Sequence, residues 1–442
     1  MLTAKPPVED PARRLRFNEA SARQTSIPRV LKQFLFQSVL WTFLCLGIEL
    51  LCRFLFHWGY PYNYPAVPPS AIFGDFRYWV AMFAGFHTKA FFNSGKLLMY
   101  PASVAVVYKL FLIPQPLAKH HGALFATLRF ISAILLSSWI MLAGFRRSLI
   151  RRGLESRPAT FFVLAVYLLS FPFWFEVHQG NMECAVWVLM IVGIWAFWTS
   201  RSWVAMACFG LAGALKIFPL VFLGLFLIHK QYRQLVGALL VAGAAAVVSL
   251  WLVCPDIAYS YQQTSAALEF FRRMYMLHLR PIESGFDHSL FALIKYLMPS
   301  LPPEARMGRI LDIYLATAAI GGCALFFVRI RKLPLINQIL CLTIAAILLP
   351  PTSYDYTLLH LYAPFALLSF VALEHAQDET LKFPRLPLYL AFSLFAFLLS
   401  AQSEFIFHGI RFAGQLKAIA LLLLWLVALK YPFPSTEAAD AQ

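Results

Sequence analysis

The sequence is short of charged residues: Asp, Glu, Lys and Arg make up only 13% of its 442 residues, whereas 60% are hydrophobic. Soluble domains carry about a quarter charged residues, so this composition excludes an ordinary soluble protein and indicates a polytopic membrane protein. A soluble appendage, internal repeats and low-complexity segments are also lacking. We therefore expect one transmembrane domain over residues 33–430, between a basic cytoplasmic tail at 1–32 and a second cytoplasmic tail at 431–442.

Patterns that would hold a metal or a disulfide are missing as well. The seven cysteines lie in or at the ends of apolar segments, without metal-ligand spacing or a disulfide framework. No Asp-x-Asp motif or histidine cluster demands a divalent metal. We therefore expect neither a bound metal nor a cofactor.

Positive charge is plentiful, but its placement is a topology signal. The net charge of +16 sits in short runs beside apolar segments, which is typical of the cytoplasmic loops of membrane proteins and not of a nucleic-acid-binding surface. No nucleic-acid partner is expected.

Ten apolar runs approach the length of about 20 residues that a spanning helix needs. They fall near 33–56, 122–145, 159–175, 182–199, 234–254, 310–328, 335–350, 357–373, 386–402 and 414–430. The densest basic loop, at 146–157, should be cytoplasmic. Because the N-terminal tail is also placed inside, only one return crossing precedes that loop, and the short apolar run 100–114 is predicted to be a re-entrant or surface helix on the outer side.

The run 203–228 carries Lys216 three residues before Pro219. A lysine there would be costly inside one continuous span. We favour two half-helices, 203–215 and 217–229, that meet on the outer side at Lys216; the alternative is one tilted helix whose lysine reaches the interface.

This topology gives about twelve crossings and leaves the loops 57–121 and 255–309 outside, with short helices in them. The polar residues without an evident structural role then share the outer side: Asp75, the turn 176–181, Lys216, Asp287, His288, the segment 353–356, Gln402, Glu404 and His408. An active site on the outer face is the simplest cause.

Three of these residues suit catalysis or anion binding. Asp75 follows the first span, where ionisable groups are functional candidates, with capping of the next helix as the alternative. Lys216 at the mouth of a half-helix suits an anion. His288 would bind phosphate or move a proton, unless the segment Asp287-His288-Ser289 merely caps the helix that follows.

Other candidates suit the hydroxyl groups of a sugar or acceptor. Gln179 and Asn181, two positions apart in a short turn, offer paired hydrogen-bond donors and acceptors, with helix capping as the alternative. Asp355 also suits the dipole of the helix that it opens. The remaining candidate substrate-binding residues are Tyr100, His178, Tyr354 and Tyr356.

One carboxylate, scattered cations and amides at a membrane surface fit glycosyl transfer from a lipid-linked sugar phosphate. The carboxylate would take the proton of an acceptor hydroxyl as it attacks the anomeric carbon, through an oxocarbenium-like transition state. Fixed cations would stabilise the charge that builds on the leaving phosphate.

Six short motifs, in matching order over residues 35–375, resemble the GT-C superfamily and, more narrowly, glycosyltransferase family 87, the polyprenyl-phosphate-mannose-dependent α-mannosyltransferases of bacterial envelopes. The motifs are Gly74-Asp75-Phe76, Met99-Tyr100-Pro101-Ala102, Gln179-Gly180-Asn181, Lys216-Ile217-Phe218-Pro219, Phe286-Asp287-His288-Ser289-Leu290 and Pro351-Thr352-Ser353-Tyr354-Asp355-Tyr356. Tyr356-Thr357 stands where the family often has two histidines, and His360 or His288 is expected to compensate.

The resemblance implies an all-α, GT-C-like bundle in the inner (plasma) membrane with its active site facing the periplasm. It implies inverting transfer of a hexose, with mannose as the first candidate, from a polyprenyl-phosphate sugar to a glycolipid or glycan acceptor. Asp75 would be the catalytic base. Lys216 and His288 would contact the phosphate, and Gln179, Asn181 and Tyr354 the sugar or acceptor.

Two other functions stay open at this point. A secondary transporter of an anionic or sugar-like solute would also use a broken helix at Lys216, although its site would lie nearer the midplane. An envelope glycan polymerase or ligase would have the same general architecture but a diphosphate-linked donor.

Overall fold

The computed structural model describes residues 26–56, 73–76, 83–93, 99–111, 122–278, 287–298, 302–377, 385–400, 405–407, 410–412 and 414–433. Gln402, Glu404 and His408, predicted to face outside, lie beyond the described residues.

This part of the chain is almost entirely helical, which confirms the predicted all-α class. The helices are α1 Arg29–Phe56, α2 Ala102–Phe111, α3 Gly122–Arg151, α4 Ser156–Leu168, α5 Phe171–Gln179, α6 Glu183–Trp198, α7 Ser202–Leu215, α8 Leu223–Ile228, α9 Tyr232–Val253, α10 Ile257–Phe271, α11 Leu290–Tyr296, α12 Glu304–Val328, α13 Leu335–Leu348, α14 Tyr362–Gln377, α15 Arg385–Leu399 and α16 Gly414–Lys430. Short 3₁₀ turns cover Phe83–Gly85, Lys89–Phe91, Phe218–Phe222, Ile330–Lys332 and Asp355–Leu361, and a π-helix covers Arg272–His278. A small antiparallel hairpin pairs β1 Phe405–Phe407 with β2 Ile410–Phe412.

Helix α13 forms the centre of the bundle. All of its residues are buried, including Asn337, Gln338 and Thr343, whose side chains donate hydrogen bonds to backbone carbonyls. It packs against α14, α16 and the 3₁₀ turn at 218–222. The peripheral helices α1, α3, α9 and α12 instead expose large apolar side chains, among them Phe36, Trp139, Leu240 and Ile320, which suits lipid contact.

The structure does not confirm the count of about twelve crossings. Five helical segments are long and apolar enough to span a membrane, or six if the bent pair α4–α5 is one span. Shorter apolar helices make up the rest; α6, with 16 residues, is about 24 Å long, less than the hydrocarbon core of about 30 Å.

The chain breaks at Lys216, which confirms the predicted interruption. Helix α7 ends at Leu215, and Lys216 is extended, with φ −144° and ψ 144°. Pro219 opens the following 3₁₀ turn, and because proline has no N–H it cannot bond to the carbonyl of Leu215. The Ser103 hydroxyl donates to the carbonyl of Ala214 at 2.5 Å.

The short run 100–114 folds as helix α2, which has only 10 residues. At about 15 Å it is too short to cross a membrane. It packs on α9, α7 and α3, so it is a short helix within the bundle and does not lie free on its surface.

The predicted span 159–175 is not one continuous helix: helices α4 and α5 meet at an angle of 51°. Pro172 lies in the first turn of α5 and lacks the N–H that would bond to the carbonyl of Leu168. The Trp174 indole N–H donates to the Leu168 carbonyl instead, at 3.2 Å. The Ser170 hydroxyl caps α5 by accepting from the Phe173 N–H. The bend directs α5 toward the turn at residues 178–181.

A buried ion pair attaches α16 to the 3₁₀ turn at 355–361. Lys417 Nζ lies 2.6 Å from Asp355 Oδ1, and both side chains are at most 4% exposed. The ammonium also lies 5.0 Å from the ring centroid of Phe171. Lys417 therefore connects the last helix, the 3₁₀ turn and the start of α5.

We expect Lys417→Met to lower the free energy of unfolding by about 3 kcal/mol, because it leaves the Asp355 carboxylate buried without its cation. Thermal unfolding in detergent measures this. The double variant Asp355→Asn/Lys417→Met should recover part of the loss, since no buried charge is then unpaired. The exposed Lys430→Met is the control. A loss for Lys417→Met no larger than for Lys430→Met would contradict a stabilising role for this pair.

Candidate active site

The segment around Asp75 is fixed to the turn between α5 and α6. The Phe73 N–H donates to the carbonyl of His178 at 2.6 Å. Phe76 is completely buried and stacks on Phe130, with ring centroids 4.7 Å apart. A backbone hydrogen bond on one side of Asp75 and a buried ring on the other fix the direction of its carboxylate.

Gly180 makes this close approach possible. Its φ is +65°, in the left-handed region that favours glycine. A Cβ at this position would lie 3.0 Å from Phe76 Cβ and 3.2 Å from Phe73 Cδ1. The Tyr108 hydroxyl donates to the Gly180 carbonyl at 3.1 Å. The turn therefore needs glycine for its backbone conformation and also for the space that the Asp75 segment occupies.

Asn181 joins three parts of the site. Its Nδ2 donates to Asp75 Oδ2 at 2.6 Å and to the Tyr100 hydroxyl oxygen at 3.0 Å. Its Oδ1 accepts from the backbone N–H of Glu183 at 3.0 Å. One buried amide thus orients the candidate base, the tyrosine before α2 and the start of α6.

Glu183, the first residue of α6, holds two basic side chains. One carboxylate oxygen forms an ion pair with Lys216 Nζ, and the other lies 2.5 Å from His360 Nε2. The Glu183 side chain is fully buried, and that of Lys216 is 13% exposed. Residues from the ends of α6 and α7 and from the 3₁₀ turn at 355–361 therefore meet at one carboxylate.

Aromatic rings surround the lysine. Lys216 Nζ lies 4.8 Å from the ring centroid of Tyr356 and 5.4 Å from that of Tyr100. The Tyr356 ring also stacks on Phe175, at 6.3 Å. Such faces attract cations, so they stabilise Lys216 next to the position of Asp75 and Asn181.

Burial raises the pKa of Asp75 above the ordinary value of 3.8, because desolvation disfavours its charged form. The hydrogen bond from Asn181 and the charge of Lys216 act in the opposite direction but do not cancel the effect of burial. A carboxyl group with a raised pKa is a stronger base once ionised.

A second buried network lies around His288. Its Nε2 is within 3.1 Å of the hydroxyls of Thr357 and Ser353, and its Nδ1 lies 3.4 Å from Asp355 Oδ1. Asp287 Oδ1 accepts from the backbone N–H groups of Ser289 and Ser353, each at 3.0 Å. Ser289 caps α11.

Tyr354 and Tyr356 lie between the two networks. Tyr354 forms a backbone bridge with Asp287, and its ring centroid is 5.9 Å from that of Tyr356, whose ring faces Lys216. The segment 354–356 thus belongs to both groups of residues.

The structure therefore brings together Asp75, Tyr100, Asn181, Lys216 and Tyr356 from the predicted set. His178 and Gln179 lie in the same turn, with His178 Nδ1 3.5 Å from Gln179 Nε2. His288 and Asp355 contact each other in the second network instead. The assignment of all these residues to substrate binding or catalysis stays a prediction.

Sequence reasoning did not select Glu183 and named His360 only as a replacement for another histidine. A signal for Glu183 was present, since a carboxylate at the first position of a strongly apolar helix is costly without a partner. Nothing in the sequence identified Lys216 and His360 as its partners, because they are 33 and 177 residues away.

Within the described residues, no group of three or more His, Cys, Asp or Glu side chains could hold a metal ion. The expectation that no metal is needed stays a prediction.

Comparison with known families gives one match. The model of glycosyltransferase family 87 matches residues 98–351, more than half of the chain. The chain belongs to glycosyltransferase family 87. It is thus a membrane glycosyltransferase of the GT-C superfamily, as the sequence motifs predicted. Neither the curated proteins nor the solved structures gave a match.

The family match covers part of the site of this transferase. Tyr100, Asn181, Glu183 and Lys216 lie inside residues 98–351, whereas Asp75 precedes that range. The segment 354–360 follows it. The hydrogen bonds and ring contacts described above, not the family match, connect these outer segments to the rest of the site.

We expect Gly180→Ala to reduce transfer by about tenfold or more, because its Cβ would push the Asp75 segment away from Asn181. The unfavourable φ also costs about 1–3 kcal/mol of stability. Initial rates and thermal unfolding should be measured together. Gly144→Ala is the control, since a Cβ there meets nothing within 4 Å. Wild-type rates for Gly180→Ala would show that the turn does not position Asp75.

Proposed function

We propose that this protein transfers a hexose, with mannose as the first candidate, from a polyprenyl-phosphate sugar to a lipid or glycan acceptor, with inversion at the anomeric carbon. Asp75 acts as the general base, and the reaction takes place at the extracytoplasmic face of the plasma membrane. The hydrogen bond of 2.6 Å from Asn181 to Asp75, in a cluster that also contains Lys216, is the observation that carries this proposal.

The carboxylate of Asp75 has one oxygen available for the acceptor. Oδ2 accepts from Asn181, and Oδ1 accepts no hydrogen bond from the part of the chain that the structure describes. In the proposed reaction, Oδ1 takes the proton of the acceptor hydroxyl as its oxygen bonds to the anomeric carbon. The bond between that carbon and the phosphate oxygen breaks, and the lipid phosphate leaves with the electron pair.

Lys216 supports the departure of the phosphate. Its side chain is 13% exposed, whereas that of its carboxylate partner is fully buried, so Lys216 is the more accessible residue of the pair. Lys216 is also the residue at which the chain leaves helix α7 and becomes extended. A fixed cation at this position lowers the energy of the transition state as charge builds on the leaving oxygen.

The remaining polar groups suit the sugar and acceptor. The turn that carries Gln179 and Asn181 is fixed at Gly180, which accepts a hydrogen bond from Tyr108 and packs against the Asp75 segment. The rings of Tyr100 and Tyr356 flank Lys216 and would present apolar faces to a hexose. In the proposed reaction the acceptor oxygen attacks the anomeric carbon in a single displacement, on the face opposite the leaving phosphate, which inverts the configuration.

The purified protein should be incubated with polyprenyl-phosphate-mannose and a membrane lipid extract, and new glycolipids identified by mass spectrometry. A product with the opposite anomeric configuration by NMR supports the proposal. Product formation only from a diphosphate-linked donor would indicate a polymerase or ligase. Counterflow of a labelled solute in proteoliposomes, without transfer, would indicate a transporter.

We expect Asp75→Asn to lower kcat by about 10²–10⁴-fold, the usual contribution of a general base, because the amide cannot accept the proton. Substrate binding and thermal stability should change little. Asp312→Asn, which removes an exposed carboxylate, is the control. A turnover within twofold of wild type for Asp75→Asn would exclude the proposed mechanism.

The pH dependence provides an independent test. The base must be ionised, so activity falls as pH drops through the pKa of Asp75, and the raised pKa places this acid limb above pH 3.8. Asn181→Ala removes a hydrogen bond that lowers the pKa, so the limb should move to higher pH. The profile of log kcat/KM against pH measures it, with the exposed Asn93→Ala as control. An unchanged limb in Asn181→Ala would contradict the assignment of this pKa to Asp75.

A further inference from the structure

Two carboxylates compete for one lysine in this site. Asp75 and Glu183 both lie near Lys216, and the charge of Lys216 acts on both. The direct contact goes to Glu183, whereas Asp75 is bonded to the neutral amide of Asn181. We propose that Glu183 is a positioning residue that keeps Lys216 away from Asp75, so that the lysine serves the leaving phosphate and Asp75 stays a base.

The chemical reason is that a general base in a direct ion pair with a cation is a weaker base. If Lys216 bonded directly to Asp75, the ammonium would stabilise the carboxylate and lower its pKa. The acceptor proton would then move to a weaker base. The same pairing would also draw the cation toward the acceptor side, where no negative charge develops.

The geometry supports this division of charge. Glu183 is fixed from both sides, because Asn181 Oδ1 accepts its backbone N–H at 3.0 Å and His360 lies 2.5 Å from its second oxygen. Its carboxylate therefore has little freedom to follow Lys216. Asn181 bonds to both acidic residues: its Oδ1 accepts from the backbone N–H of Glu183, and its Nδ2 donates to Asp75 Oδ2.

Glu183 also determines where His360 lies. The imidazole Nε2 faces Glu183, the ring of Phe218 packs at 5.1 Å, and Nδ1 is buried without a hydrogen-bond partner in the described part of the chain. Glu183 thus holds two basic side chains, Lys216 on one carboxylate oxygen and His360 on the other.

The groups that bear on this competition come from five segments. They are Asp75, Tyr100, Glu176, Asn181, Glu183, Lys216, Tyr356 and His360. Glu176 accepts the N–H of Cys184 at 2.8 Å and forms no direct contact with Lys216 within the described residues. It is the matched control, a second buried carboxylate of the same cluster that does not hold the lysine.

The inference rests on the proposed function, and its test begins with pH. In Glu183→Gln, Lys216 loses its partner and turns to Asp75, so the acid limb of log kcat/KM should move to lower pH by about one unit, with a lower kcat. Glu176→Gln should move the limb less. An unmoved limb in Glu183→Gln, or an equal shift in Glu176→Gln, would overturn the inference.

A stability cycle tests the same point without any transfer assay. In the wild-type background, Asp75→Asn removes a desolvated charge that lacks a direct cation, so the melting temperature should stay or rise. In the Glu183→Gln background, Asp75 is the partner of Lys216, and Asp75→Asn should lower the melting temperature. If Glu183→Gln does not purify, Glu183→Asp, one methylene shorter, takes its place in the cycle.

The two ideas fail in different ways. An equal effect of Asp75→Asn in both backgrounds would overturn the role of Glu183 and leave the proposed transferase intact. Full activity of Asp75→Asn would overturn Asp75 as the base, whatever the cycle shows.

Discussion

The ion pair between Lys216 and Glu183 is the interaction on which the site depends. An ammonium group in an apolar bundle is unstable unless a carboxylate meets it, and a carboxylate at the start of an apolar helix has the same requirement. Each side chain therefore needs the other, although they lie 33 residues apart. Their contact fixes the end of α7 against the start of α6, and the break in the chain at Lys216 becomes a defined structure instead of a weak point in a span.

Gly180 and Asn181 connect this ion pair to Asp75. The left-handed glycine brings the turn within contact distance of Phe73 and Phe76, and the amide that follows bonds to Asp75 and to the N–H of Glu183. Backbone geometry and side-chain chemistry at two adjacent residues thus connect the segment 73–76 to Lys216.

Much of this arrangement followed from the sequence, and the exceptions have physical reasons. The break at Lys216 was predictable because a lysine and a proline cannot both be satisfied inside one span. The bend between α4 and α5 was missed because it combines Pro172 with a hydrogen bond from the Trp174 indole to the carbonyl of Leu168. The sequence does not show which carbonyl that indole reaches. The role of Glu183 was missed because sequence shows that a buried charge needs a partner but not which distant residue supplies it.

The two buried networks differ in what their charges can do. In the second network, Lys417 and Asp355 are nearly inaccessible and His288 fills the space between hydroxyl groups, so these charges satisfy each other and stabilise the fold. In the first network, Asp75 is bonded to the neutral amide of Asn181, and Lys216 is bonded to a different carboxylate, that of Glu183. Opposite charges are thus kept near each other but not joined. This separation leaves Asp75 without a direct ion pair, which would stabilise its charged form and make it a weaker base.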